Sequence, residues 1–320
     1  MKELSLPGAA DVLAAAARIA PHASVTPVLR SQVLDTLSGA RLHFKAEHLQ
    51  RSGAFKFRGA CNAVSALTPE QAARGVVTHS SGNHGAALAL AAQSRRIPCH
   101  VVVPEGAVAA KLANIVRHGA VLWRCASTQA AREAECARVQ AETGAMLVHP
   151  YADAKVIAGQ GTAALELLQQ CDTPLDVLVV PVGGGGLAAG TLLALQQAAT
   201  PCELVLAEPA GADDTARSLA SGQRQPDFVP ATVCDGLRGA LGAPNFALLH
   251  GRASVITVDD DATVAAMRRL WQVLKQTVEP SSAIALAAIL ADPARFAGRN
   301  VGVILSGGNV DLDALPWSRP

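Results

Sequence analysis

A lysine held between two phenylalanines is the first residue here that could do chemistry. Lys56 stands in Ser52-Gly-Ala-Phe-Lys-Phe-Arg-Gly59, is one of six lysines in the chain, and leads into an apolar stretch carrying Ala60, Val64 and Leu67. Burial disfavours the ammonium form, so such a lysine can be a neutral amine near neutral pH. A neutral amine can attack a carbonyl. Taken alone, the motif fits better a surface lysine whose stem covers its apolar neighbours.

Three further motifs bring backbone amides and hydroxyls. Ser80-Ser-Gly-Asn-His-Gly85 directly follows the β-branched run Val76–His79. A strand-to-helix turn of this composition exposes several N–H groups, a receptor for carboxylate or phosphate. One Ser or Asn would serve as an ordinary helix cap, but the whole cluster exceeds that need. Gly183-Gly-Gly-Gly186 lies between the run Val177–Pro181 and a helical stretch from Leu187. Without side chains, its amides can close around phosphate oxygens. Leu305-Ser-Gly-Gly-Asn-Val310 follows the last strand and puts Ser306 where open α/β sheets place ligands. The glycine loop also admits a rival. Gly184-x-Gly186-x-x-Ala189 fits a relaxed dinucleotide fingerprint, with Glu208 placed to hold a ribose, as in an NAD-dependent dehydrogenase. That rival leaves Lys56 and Ser81–Asn83 without work.

The elements that must position these motifs follow from an alternation. Strand candidates are 42–45, 76–79, 100–103, 121–124, 146–149, 177–181, 204–207, 255–258 and 301–305. Alanine-rich helical stretches fall between them, among them 85–93, 109–118, 129–142, 186–197, 261–276 and 282–290. This order predicts an α/β fold with parallel sheet covered by helices on both faces. All four motifs fall at strand ends or helix starts, the placement a single site requires.

Together the motifs resemble the pyridoxal-phosphate (PLP) enzymes of fold type II, the tryptophan-synthase-β-like group that includes serine racemases and serine, threonine and 3-hydroxyaspartate dehydratases. The resemblance runs from Thr26-Pro27 to Asp311 and includes Ala158-Gly-Gln-Gly-Thr162, Ala207-Glu-Pro209 and Val278-Glu-Pro280. It implies two parallel-sheet domains: a large PLP-binding domain from residues 1–68 and 152–320, and a small mobile one from 69–151. It also implies that Lys56 holds the cofactor and acts as a base on one face of the substrate, with Ser81 on the other. Phe55 would pack near the cofactor ring and Asn83 would meet its phenolic oxygen. Gly183, Gly184, Gly185 and Gly186 would cradle its phosphate, and Ser306 would meet its pyridine nitrogen. Ser80, Ser81, Gly82, Asn83 and His84 would bind the substrate carboxylate.

The cofactor makes the substrate Cα–H acidic. A serine at the pyridine nitrogen makes the ring a weaker electron sink and favours prompt loss of a β-hydroxyl. The implied activity is an ammonia-lyase converting L-serine, L-threonine or 3-hydroxyaspartate to a 2-oxo acid and ammonia. Serine racemase is the alternative within the family; a non-catalytic amino-acid sensor would not need both Lys56 and Ser81. Glu208, the Ala212 carbonyl and Asp214 match a divalent-cation site, whose oxygen ligands suit Mg²⁺, Mn²⁺ or Ca²⁺. Without the resemblance, Asp214 reads as a cap for a helix over 215–220.

Some residues depart from the animal serine racemases. Arg51, Ala86 and His118 stand where those enzymes have the Lys, Gln and Tyr of an ATP site, so ATP activation is not implied. Tyr151 replaces an Asn, and Gly239 a Ser that touches the substrate's side-chain end; both lean towards dehydration. Arg132 matches an arginine that meets a β-carboxylate, or else is a helix charge paired with Glu133 or Glu135. No regulatory domain is expected after Asp311.

Composition excludes other classes. The 320 residues are 50% hydrophobic and 17% charged, which rules out disorder, and the net charge of +1 with 3% aromatics gives no footing for nucleic acid. Seven cysteines form no Cys-x-x-Cys pair, against both a zinc ribbon and a disulfide framework. The uncharged stretch 177–202 is long enough to cross a bilayer, but Pro181 and four glycines interrupt it. Near the N-terminus, Glu3, Asp11 and Arg18 around the apolar run 12–17 favour an amphipathic helix over a leader peptide. The expectation is a cytoplasmic homodimer with no membrane or nucleic-acid partner, acting on a small amino acid.

Overall fold

The computed structural model describes residues 6–198 and 200–317; Lys2 and Glu3 lie outside the described residues. Among the described residues, ten strands form two sheets. They are β1 (Val28–Leu29), β2 (Arg41–Lys45), β3 (Val76–His79), β4 (Cys99–Pro104), β5 (Val121–Cys125), β6 (Met146–Leu147), β7 (Val177–Pro181), β8 (Glu203–Pro209), β9 (Ser254–Val258) and β10 (Asn300–Ile304). The six-stranded sheet runs β1-β2-β10-β7-β8-β9 and the four-stranded one β5-β4-β3-β6. All pairings are parallel except β1 with β2, a short antiparallel pair at one edge that the sequence pattern does not signal. Among the described residues, no helix is long and apolar enough to cross a membrane.

The apolar runs are explained by two-sided burial. In β7, Val177 and Val179 enter the core on one face, and Leu178 and Val180 enter the core on the other. The small sheet repeats this, with Val76 on one face and Val77 on the other. Alternate residues point to opposite faces, so a strand buried on both has no polar positions. The helix Pro280–Ala291 is buried from Pro280 to Ile289 and packs beneath β7 to β10. The stretch 177–202 is a strand, a glycine turn and the helix Gly186–Leu195.

One strand is shorter than the sequence pattern predicts. Only Met146 and Leu147 pair with β3; after Val148 donates to the Val77 carbonyl, the chain turns. His149 makes the turn, because its Nδ1 accepts the N–H groups of Tyr151 and Ala152 at 3.4 and 3.1 Å. The helix Ala154–Gln170 then crosses two others at close range. A Cβ on Gly159 would lie 2.6 Å from the Gly59 Cα, and Gly161 meets the Gly190 backbone in the same way. Those crossings lock the helix Lys56–Ser65 and the helix Gly186–Leu195 onto one support. The spacing of Lys56 from the glycine loop is set there.

Candidate active site

Lys56 opens its helix directly after a segment stitched to the end of β10. Phe55 N–H donates to the Ser306 carbonyl at 2.9 Å, Gly308 N–H to the Gly53 carbonyl at 2.9 Å, and Ala54 bridges Gly307. The half-buried Lys56 ammonium donates to the Pro150 carbonyl at 3.1 Å and sits 5.0 Å above the Phe55 ring. Burial lowers its pKa to about 8, against the pull of Glu279. A usable fraction of neutral amine near physiological pH follows. Two residues on, Arg58 is fully buried. It is clamped by Glu47 at 2.6 and 2.8 Å and by Glu166 at 2.7 and 2.8 Å. The charge of Arg58 is paired from both sides, which makes its burial tolerable and fixes the first turn of the helix.

The second motif follows β3. Ser80, Ser81, Gly82 and Asn83 are half-buried there, and the helix Asn83–Arg95 starts with no side-chain cap. Its first N–H groups therefore remain available to an anion. His84 is buried, and its Nε2 donates to the Val148 carbonyl at 3.2 Å. Its Nδ1 has no partner among the described residues, and burial holds its pKa well below the usual imidazole range. Nearby, His79 and His149 meet edge to face at 5.2 Å; burial lowers the His149 pKa to about 4, so that ring is neutral.

The glycine loop fits a phosphate because it has no room for anything else. A Cβ on Gly183 would lie 2.7 Å from the Leu237 Cα, one on Gly184 would overlap the Tyr151 ring, and one on Gly185 would lie 2.6 Å from Leu241 Cδ1. Gly185 has φ +86°, and no side chain caps the helix that Gly186 starts. Bare amides at a helix N-terminus can receive a phosphate. Ser306 is buried next to the Lys56 segment, its Oγ 3.4 Å from the Ser281 carbonyl.

Glu279 is a site residue that sequence reasoning misses, though it lies in one of the family-like motifs. Its carboxyl is buried, and it accepts from Asn83 Nδ2 at 2.7 Å, while Asn309 Nδ2 donates to Asn83 Oδ1 at 2.9 Å. Burial, then the Asp235 charge, raise its pKa to about 8. The only sequence signal is an acid set between Val278 and Pro280.

The acidic pair differs from the helix-cap reading. Asp214 does not cap a helix over 215–220: it is the first residue of the helix Asp214–Ser221, and its Oδ2 accepts from Leu241 N–H at 2.7 Å. Glu208 does the capping, accepting from Thr215 and Ala216 N–H at 2.8 Å each. Its pKa is raised to about 7 and that of Asp214 to about 6, both by burial, and among the described residues Asp214 Oδ1 is buried without a partner. Committed to backbone and fully buried, Glu208 cannot reach a ribose, which removes the dinucleotide reading.

Arg132 is not paired on its helix. Glu133 bonds Gln129 and Glu135 bonds Arg138, and Arg132 Nε is buried without a partner among the described residues. At His79 and Tyr151 burial acts first, and the Glu133 charge then outweighs the opposing charge of Arg132.

A family model described as pyridoxal-phosphate dependent enzyme matches residues 19–307. A β-hydroxyaspartate dehydratase of Paracoccus denitrificans (strain Pd 1222) is 49% identical over 98% of this chain and 99% of that protein. A serine racemase of Arabidopsis thaliana is 47% identical over 96% and 95%. Among solved structures, maize serine racemase superposes with TM-score 0.94 at 44% identity, covering 98% of this chain and 96% of that one. A serine racemase of Dictyostelium discoideum superposes with TM-score 0.91 at 43% identity, covering 96% and 99%.

Proposed function

The chain belongs to the pyridoxal-phosphate dependent enzymes, and we propose that within that family it is an ammonia-lyase eliminating water from a small β-hydroxy amino acid. The candidate substrates are L-serine, L-threonine and 3-hydroxyaspartate, with 3-hydroxyaspartate first. The observation that carries this order is Arg132, a guanidinium without an acidic partner on its own helix. A relative named for β-hydroxyaspartate dehydration supports it. Serine racemase is the second reading, favoured by Ser81 and by relatives carrying that name.

When bound, the cofactor makes the substrate Cα–H acidic. This chain's residues then have separate tasks. The amides of Gly183–Gly186 would hold the phosphate, and Ser306 would meet the pyridine nitrogen. Phe55 would pack near the ring and Asn83 would meet the phenolic oxygen. Ser80, Ser81, Gly82, Asn83 and His84 would hold the α-carboxylate with the N–H groups of their loop. Lys56 Nζ anchors the cofactor and takes the Cα proton from one face. Ser81 Oγ would deliver or remove a proton at the other, which elimination does not need and racemisation does. Arg132 takes the β-carboxylate as a charge-assisted pair. The segment 69–151, which carries Ser81 and Arg132, acts as the small mobile domain on a large domain of 1–68 and 152–320.

A divalent cation fits beside this site in one respect. Asp214 Oδ1 is an unpartnered buried carboxylate oxygen, and the Ala212 carbonyl and Glu208 are its family partners. Among the described residues, no cluster of three or more His, Cys, Asp or Glu side chains could hold a metal. The proposed site is therefore two carboxylates and a carbonyl, completed by water. The resemblance also carries the expectation of a homodimer in the cytoplasm.

The test is direct. Purified protein should be yellow, borohydride should fix the cofactor on Lys56, and 3-hydroxyaspartate should yield an oxo acid and ammonia. Lys56→Ala should lose several orders of magnitude in rate. A colourless protein inert towards all three amino acids would overturn the proposal.

A further inference from the structure

Asn245 lies outside every motif of the candidate site, yet it grips the glycine loop from behind. It is the third residue of the helix Ala243–Leu249 and is fully buried. Its Nδ2 donates to two carbonyls, that of Gly184 at 2.5 Å and that of Tyr151 at 2.9 Å. Both partners are acceptors, so the orientation of the amide is fixed and both of its N–H groups are engaged. Gly242 N–H also donates to the Gly184 carbonyl, at 3.1 Å, so both lone pairs of that carbonyl are taken. Asn245 Oδ1 is left buried, without a partner among the described residues. The fold thus tolerates an orphaned acceptor at one end of the amide to keep the two bonds at the other.

The consequence falls on the peptide that joins Gly184 to Gly185. It is trans and planar, so its C=O and N–H point in opposite directions. With the Gly184 carbonyl held against residues 242 and 245, the Gly185 N–H is turned away from that wall. Among the described residues, the N–H groups of Gly183, Gly184, Gly185 and Gly186 donate to no protein acceptor. The clamp matters because a glycine pair resists rotation of its shared peptide only weakly, with no Cβ on either side to forbid the turned-over form. The same amide reaches the other end of the site. The Tyr151 carbonyl that it holds follows Pro150, whose own carbonyl receives the Lys56 ammonium at 3.1 Å.

We propose that Asn245 is a positioning residue for the cofactor phosphate: it presets the Gly184–Gly185 peptide so that the Gly185 N–H donates to a phosphate monoester, and it ties that donor to the segment that meets Lys56. The proposal rests on the reading of the glycine loop as the phosphate receptor. A donor already aimed needs no reorganisation when the anion arrives, whereas a loose glycine peptide must first be ordered at the expense of affinity. The hydrogen bond is also charge-assisted, so its loss weakens phosphate binding more than a neutral contact would.

The test compares two ligands on the full-length chain: PLP, and pyridoxal, which keeps the aldehyde and ring but lacks the phosphate. Each is titrated into cofactor-free wild type and Asn245→Ala, with affinity read by equilibrium dialysis. Asn245→Ala should bind PLP about tenfold more weakly, the usual worth of a hydrogen bond to a charged group. Its affinity for pyridoxal should stay within about twofold of wild type, since that ligand has no phosphate to lose. Equal weakening of both ligands would mean that Asn245 merely supports the fold, and it overturns the proposal, as does unchanged PLP affinity. Asn245→Leu, of similar size and without a donor, carries the same comparison if the alanine variant does not fold; if neither folds, the role is structural and the proposal falls. Wild type that binds PLP no better than pyridoxal would instead sink the reading of the glycine loop, whereas discrimination kept in the variant sinks only the role of Asn245.

Discussion

The Glu279 carboxyl accepts the Asn83 side-chain amide at 2.7 Å, and the two residues come from opposite sheets. Asn83 begins the helix that follows β3, while Glu279 precedes the buried helix beneath β7 to β10. Asn309, after β10, completes the link by donating to Asn83. Lys111 and Asp235 form a second connection between the same two halves, at the surface. The buried contact holds position more strictly, because a polar group without its partner there costs about 1–3 kcal/mol.

Glu279 should therefore leave a pH signature. Its pKa is raised from 4.5 to about 8 in the folded state. At low pH both states hold the proton and this contribution is fully present. As pH rises, the unfolded chain ionises first, so stability is lost from about pH 5 to about pH 8. Glu279→Gln removes this slope while keeping a neutral acceptor for Asn83, much as the protonated acid does. Denaturation midpoints of the two proteins should run close together at low pH and separate as pH rises, with wild type becoming the less stable. Parallel curves would show that Glu279 does not titrate in that window.

Ser81→Ala separates the two chemistries. A site with one base cannot exchange protons at both faces of Cα, so D-serine formation from L-serine should disappear. Elimination from the L-enantiomer should survive, because in the proposed mechanism Lys56 would still take that proton. Chiral chromatography alongside an oxo-acid assay checks both. Undiminished D-serine formation would refute the placement of Ser81.

The acidic pair gives a cation prediction. Chelation should lower activity and melting temperature together, and Mg²⁺, Mn²⁺ or Ca²⁺ should restore both. Binding to the folded state alone stabilises it by about 2.7 kcal/mol at a hundredfold excess over Kd. Asp214→Asn keeps an acceptor for Leu241 N–H but removes the charge. That variant should melt at the same temperature with or without chelator. A persisting chelator response would place the cation elsewhere.

Much of this site is readable in the sequence because its chemistry needs backbone. Strand ends, glycines and small polar residues lie contiguously in sequence, so Ser80–Gly85 and Gly183–Gly186 declare themselves. What stays hidden depends on pairs distant in sequence. Arg58 reads as a charge flanking a lysine until Glu47 and Glu166 fold against it. Glu208 is visible as an acid, yet its capping of a helix seven residues on depends on how the chain turns after β8. Tyr151 and Gly239 each look like an isolated departure. Only the fold shows that the Tyr151 ring faces Gly239.

Arg132 carries the last prediction. Its flanking acids are engaged elsewhere, and among the described residues its buried Nε has no partner. A β-carboxylate would meet it as a two-pronged, charge-assisted pair, stronger where water is excluded. Truncating one member of a buried charge pair typically costs about 2–5 kcal/mol. Arg132→Ala should therefore cut kcat/KM for 3-hydroxyaspartate by more than about thirtyfold, and malonate should inhibit wild type far better than the variant. L-threonine offers no β-carboxylate, so its turnover should change little. Arg132→Lys keeps the charge but not the fork, and should recover only part of the loss. Equal losses for 3-hydroxyaspartate, L-serine and L-threonine would mean that Arg132 serves closure or folding and reads no carboxylate.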